Sequence, residues 1–125
     1  MNIDAPIEAL YATGHWLLTS ERFADAATVF RTMALATPKD ERAWLALGAC
    51  HEGIGQLQIA SALYQIGASV AAPAVRCCVA RARALRALGR EDEADLAFAD
   101  AHSAAAEAGD DDLSSLVLAE SRGVS

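Results

Sequence analysis

The stretch WLALGACHEGIGQLQIASALY, from Trp44 to Tyr64, decides the fold. Its apolar residues recur at helical spacing, yet glycine interrupts them at Gly48, Gly53 and Gly55. A glycine inside a helix costs about 1 kcal/mol against alanine, so these positions must answer a need of packing or turning. Moving along the chain in steps of 34 residues finds the same arrangement again. Ala26, Ala60 and Ala94 keep that step, as do Phe30, Tyr64 and Phe98. So do Gly14, Gly48 and Ala82, and also Leu17, His51 and Leu85. Small and aromatic residues returning at one fixed period mark a chain built from stacked copies of a single unit.

A period of 34 with such columns resembles the tetratricopeptide repeat, which implies a unit of two helices, A and B. Gly48 is placed where helix A meets helix B, so that the two backbones can close up. Gly55 and Gly89 fall between the helices, where a left-handed residue ends a helix without a Cβ penalty. Gly53 is assigned to the last turn of its helix, with no stronger reason than a close neighbour. The predicted helices cover about 6–18, 22–36, 40–53, 57–71, 74–88 and 91–107. Pro6 favours the first turn of the first helix, and Ser20 is the expected N-cap of the second. Pro38 sets the turn before the third, where Asp40 and Glu41 suit a helix N-terminus. After GDDDL, the segment 113–121 carries Leu113, Leu116, Val117 and Leu118 on roughly one side, which predicts a helix capping the exposed end of the stack. The last four residues are expected to fray.

This pattern resembles the tetratricopeptide repeat, whose signature is W-x2-L-G-x2-Y, then A-x3-F, then P. The middle repeat carries Trp44, Leu47, Gly48, His51 in the tyrosine column, Ala60, Tyr64 and Pro73 one place late. The first has Leu10, Gly14, Leu17, Ala26, Phe30 and Pro38; the third has Cys78, Arg81, Ala82, Leu85, Ala94 and Phe98 and lacks the proline. The resemblance implies an all-α, right-handed α-α superhelix of three repeats, about 7–40, 41–74 and 75–108, forming one domain with a capping helix at about 111–121.

In such stacks the A helices line a concave groove, and the second, fifth, ninth and twelfth positions of each repeat face it. Here these are Glu8, Tyr11, His15 and Leu18, then Arg42, Leu45, Ala49 and Glu52, then Arg76, Val79, Arg83 and Arg86. Of these, Tyr11, His15, Leu18, Arg42, Leu45, Ala49, Arg76, Val79, Arg83 and Arg86 are the candidate peptide-binding residues. The three arginines read either as a cationic end that orients a carboxylate-bearing segment, or as a solvated face pairing with Glu91, Asp92, Glu93 and Asp95. Tyr11, Leu18 and Leu45 have a rival reading as core between repeats.

Composition narrows the function classes. Of 125 residues, 54% are hydrophobic but only 6% aromatic, which suits alanine-rich helices rather than a β-sandwich. The net charge of −7 argues against a nucleic-acid partner. The first basic residue is Arg22, so no secretory signal is expected. No apolar run approaches the roughly 18 residues of a membrane span. Cys50, Cys77 and Cys78 form a poor disulfide framework and suit a reducing cytosol.

Catalytic chemistry is not expected. His15, His51 and His102 are scattered, and His51 reads as a packing residue making one hydrogen bond. The cysteine and histidine spacings match no zinc site. Asp110 to Asp112 lack the ligand pattern of a calcium loop and read as a helix start. These absences point to a binding protein without cofactor or metal rather than an enzyme.

The middle of the chain is similar to the class II chaperones of type III secretion translocators, the SycD/LcrH type. The matching residues are Leu10-Tyr11; Phe23-Ala24-Asp25-Ala26 with Val29-Phe30; and Leu47-Gly48-Ala49-Cys50, Gly55-Gln56, Ala60, Tyr64 and Gly67-Ala68. The resemblance implies a bacterial cytosolic chaperone whose groove holds an extended translocator segment with spaced Pro and Leu anchors. Tyr11, His15, Leu18, Leu45 and Ala49 match the family's groove positions, with His15 replacing a commonly aromatic residue. Family members often dimerise through an extra N-terminal helix. This chain starts only a few residues before its first helix, so dimerisation by that route is not expected and homodimerisation is left open. A general tetratricopeptide adaptor and a structural subunit of a larger assembly are the alternatives.

Overall fold

In the computed structural model, which describes residues 4–122, the fold is all-α, with no strand among the described residues. The helices are α1 (Asp4–Thr19), α2 (Phe23–Ala36), α3 (Glu41–Gly53), α4 (Leu57–Val70), α5 (Val75–Ala87), α6 (Glu91–Glu107) and α7 (Asp111–Ser121). Each packs on the next in sequence, so α1–α2, α3–α4 and α5–α6 are hairpins laid side by side and α7 covers the last of them. The first helix starts two residues before the predicted Pro6. The fraying expected at the C-terminus falls mostly on residues 123–125, which lie outside the described residues.

The turn inside each hairpin is one motif used repeatedly. Gly55 at φ 85° and Gly89 at φ 78° hold the left-handed conformation. The N–H of the following residue reaches back five positions: Gln56 N–H to the His51 carbonyl at 2.8 Å, and Arg90 N–H to that of Leu85 at 2.9 Å. This closes the helix end in the Schellman manner. In the first hairpin the same bond joins Arg22 N–H to the Leu17 carbonyl at 2.9 Å, but the left-handed residue is Glu21, at φ 60°. Ser20 is therefore not the N-cap expected of it. Its N–H still bonds the Trp16 carbonyl at the end of α1, and the extra turn residues move the cap to Arg22, which caps through no side-chain bond.

The small and aromatic columns are a single device. The Phe30 ring lies over Gly14, where an added Cβ would come within 2.6 Å of Cζ; Tyr64 lies over Gly48, where it would come within 2.1 Å of Cε1. The need at Gly48 is thus room for an aromatic side chain of the facing helix, rather than room for its backbone. Gly53 also has its reason: Phe23, on the B helix of the preceding hairpin, lies within 2.4 Å of where its Cβ would be. Trp44, in the tryptophan column of the signature, donates from Nε1 to the Pro38 carbonyl at 2.7 Å, fixing the entry to α3.

The core runs through the stack. Phe30, Met33, Ala43 and Cys50 centre one cluster between α1, α2 and α3. Leu85, Phe98, Ala101 and Val117 centre another between α5, α6 and α7. Ala60, Tyr64 and Ala84 connect the two. The A helix α3 touches both α1 and α5, whereas contact between the B helices α2 and α4, or α4 and α6, is slight. The stack is tighter on the A side, so α1, α3 and α5 line its concave face.

Candidate peptide-binding face

At the N-terminal end of the concave face is a cavity of about 540 Å³, lined by Glu8, Tyr11, Ala12, His15, Trp16, Thr19 and Arg42. Tyr11 is half-buried, edge-on to Phe30 with ring centroids 6.2 Å apart, and 6.0 Å from the His15 ring. The Arg42 guanidinium sits 4.5 Å over the Tyr11 ring. It also donates to both oxygens of Glu8, at 2.7 and 3.1 Å, and to both of Asp40, at 2.8 and 3.1 Å. Asp40 in turn caps α3 by accepting the Arg42 N–H at 3.1 Å. Hydrogen bonding to Arg42 holds the Glu8 and Asp40 carboxyls below their ordinary range, and bonding to Asp40 and then Glu8 raises Arg42 itself. Arg42 thereby ties α1 to the start of α3.

A second cavity, of about 810 Å³, opens between α3, α5 and α7. Leu45, Val79, Ala80, Leu113, Leu116 and Val117 give it an apolar lining, with Arg76, Arg83, Arg86 and Glu120 beside them. Arg83 forks onto Glu120, with Nη2 to Oε2 at 2.8 Å, and this bond raises its pKa. Arg86 donates to the carbonyls of Glu120 and Ser121, each at 3.2 Å, at the C-terminal end of α7, where a cation is favoured. It lies 4.5 Å over the Phe98 ring, and within 3.7 Å of Glu91 and 4.0 Å of Asp95. The pairing with the acidic run therefore exists for Arg86 alone of the three groove arginines. Arg76 is exposed and has no ion pair among the described residues.

The ten candidate residues thus divide. Tyr11, His15 and Arg42 line the first cavity; Leu45, Arg76, Val79, Arg83 and Arg86 line the second. Val79 is buried and forms its floor as part of the core. Leu18 and Ala49 are half-buried and line neither. Tyr11 and Leu18 pack on the α1–α3 cluster, and Leu45 packs on that of Tyr64, so the rival core reading describes real contacts for all three.

Sequence reasoning missed Trp16 and the wall supplied by α7. Trp16 is 60% exposed, whereas Cys50 and Ala84, one and two periods later, are 0% and 1% exposed. That contrast was visible as a large residue in a column of small buried ones. Leu116, expected on the covered side of α7, is 66% exposed and faces the cavity; Val117 is the residue of this helix that is buried. His51 accepts or donates one bond, Nδ1 to Gln56 Oε1 at 2.7 Å. Asp110 caps α7 by accepting the Leu113 N–H at 2.9 Å. Burial pushes the Cys50 thiol up to about 11 and Cys77 up to about 12, so both remain protonated and unreactive at neutral pH.

Solved structures similar to this chain include type III secretion translocator chaperones. The type III secretion translocator chaperone SycD of Yersinia enterocolitica superimposes with a TM-score of 0.85 at 26% identity, covering 97% of this chain and 91% of that one. PcrH from Pseudomonas aeruginosa gives 0.83 at 27% identity, covering 98% and 93%. PcrH in complex with the chaperone binding region of PopB gives 0.81 at 28% identity, covering 95% and 96%. No family model and no curated protein matches the chain. The structures it resembles are not enzymes, and neither is this chain. With its 34-residue columns and its three hairpins, the chain is similar over nearly its whole length to the translocator chaperones of type III secretion typified by SycD and PcrH.

Proposed function

We propose that this chain is a cytosolic chaperone of a bacterial type III secretion system, holding an extended segment of a hydrophobic translocator along its concave face so that the translocator stays soluble and competent for secretion. The observation that carries the reading is the likeness to PcrH bound to the chaperone binding region of PopB, over 95% of this chain. The chain's own concave face supports it, with two cavities of about 540 and 810 Å³ on the A-helix side. Covering a few hundred Å² of apolar client at about 25 cal/mol per Å² contributes several kcal/mol before ordering costs. The net charge of −7 keeps such a complex soluble. Among the described residues no helix is long and apolar enough to cross a membrane.

The test is co-expression with a type III secretion translocator of the same genome, followed by calorimetry of the purified pair. A soluble complex is expected, weakened at least about tenfold by Ala12→Arg, which fills the first cavity from an exposed position, with helicity unchanged. The structural-subunit alternative has one observation in its favour: Ile59, Ile66 and Val70 are exposed apolar residues on α4, away from the groove. It wins if Ala12→Arg leaves the complex intact and Ile66→Glu dissolves it.

A further inference from the structure

We propose that Arg76 is the selectivity residue of the second cavity: it takes the carboxylate of an Asp or Glu that neighbours an apolar anchor of the bound segment. The proposal rests on the reading of the chain as a chaperone for extended segments.

Three arginines line this cavity, and two are already engaged. Arg83 is matched by Glu120, and Arg86 by the α7 carbonyls, Glu91 and Asp95. Arg76 stands exposed with no ion pair among the described residues. It shares one face of α5 with Val79, Ala80 and Arg83, at helical steps of three, four and seven. An apolar side chain seated on Val79 and Ala80 would lie about one helical turn, roughly 5 Å, from the Arg76 position. An extended chain advances about 3.3 Å per residue. The carboxylate that meets Arg76 therefore belongs to a residue one or two places from the anchor.

The net charge of the chain sharpens the requirement. At −7 the protein repels an acidic segment at long range. Attraction is confined to the neighbourhood of Arg76, within a screening length of about 8 Å at physiological salt. A diffuse acidic tail gains nothing; an acid beside the anchor does. A planar guanidinium also meets a carboxylate with two parallel bonds, which a lysine there would not reproduce.

Fluorescence anisotropy with the full chain tests this, using three labelled, end-blocked peptides that share a leucine anchor and differ at the adjacent position: Asp, Asn or Lys. The Asp peptide is expected to bind roughly fivefold tighter than the Asn peptide, with the Lys peptide weakest. Arg76→Gln should erase the preference, and Arg76→Glu should turn it toward Lys; both changes are at an exposed site. Equal binding of Asp and Asn peptides to the unaltered chain overturns the proposal while leaving the chaperone reading intact. A preference that survives Arg76→Gln but disappears in Arg83→Gln also overturns it, assigning the recognition to the arginine paired with α7. Failure of all three peptides to bind overturns it as well, and the co-expression experiment then judges the chaperone reading separately.

Discussion

The ring of Tyr64 rests on Gly48 so closely that a Cβ at residue 48 would fall 2.1 Å from Cε1. Tyr64 is 1% exposed and cannot swing away. Alanine at 48 gains about 1 kcal/mol of helix propensity, but overpacking in a closed core costs about 1–3 kcal/mol and here falls at the upper end. Gly48→Ala is expected to lower the urea midpoint, with a net loss of roughly 2 kcal/mol. Adding Tyr64→Leu should recover part of that loss, because the two changes share one volume.

Glu21 occupies the left-handed turn position that Gly55 fills one period later. A residue with a Cβ loses about 1–2 kcal/mol in that conformation, while glycine loses up to about 1 kcal/mol through the entropy of its unfolded chain. Glu21→Gly should therefore stabilise the chain, by roughly 0.5–1 kcal/mol, read as a higher melting temperature. Glu21→Val should do the reverse. A fall in stability for the glycine variant would mean that the Glu21 side chain supplies something the backbone geometry hides.

Helix α5 takes its cap from another hairpin. Its own N-cap, Ala74, offers no side-chain bond, and Glu41 of α3 accepts the Cys77 N–H at 2.8 Å. Glu41→Ala should cost about 1 kcal/mol, the usual value of a lost cap. Glu41→Gln, which keeps an acceptor oxygen, should cost less. Amide exchange at Cys77 is the direct reading: faster in the alanine variant, near normal in the glutamine variant.

The Arg42 cluster makes stability depend on acid pH with a definite sign. Hydrogen bonds from Arg42 lower both the Glu8 and the Asp40 pKa. Groups depressed in the folded state contribute fully above their unfolded pKa values, near 4, and the contribution is lost as the pH falls through the lower folded values. The stability difference between the unaltered chain and Arg42→Met should be constant above about pH 5 and shrink below about pH 4. A difference that stayed level down to the acid transition would mean these pairs contribute nothing beyond packing, as many exposed ion pairs do.

Much of the fold was legible because a stacked repeat writes its contacts into the sequence at a fixed interval. Phe30, Tyr64 and Phe98 are each buried, and the columns 14/48/82 and 30/64/98 marked the small and the aromatic positions, but that a ring of the facing helix fills the space over Gly14 and Gly48 came from the structure. The turns at Gly55 and Gly89 were legible for the same reason. Ser20 is not the cap because Glu21 takes the left-handed conformation, which its residue type does not suggest and its alignment with Gly55 and Gly89 at the 34-residue step does. The groove positions were legible as helix faces, yet which of them sit together was not. Leu18 and Ala49 lie outside the cavities that Tyr11 and Leu45 line.

By itself the sequence determined the three hairpins, their period and the columns of small and aromatic residues, since these depend on residues a short, constant distance apart along the chain. Tertiary structure alone decided the electrostatics of the concave face. Glu8 reaches Arg42 across one repeat, Glu120 reaches Arg83 from α7, and Glu91 and Asp95 lie beside Arg86, so three of the four groove arginines are charge-paired while Arg76 has no ion pair among the described residues. Charge pairing depends on where long side chains meet in space, and period 34 fixes the backbone on which they stand but not the direction in which each one turns.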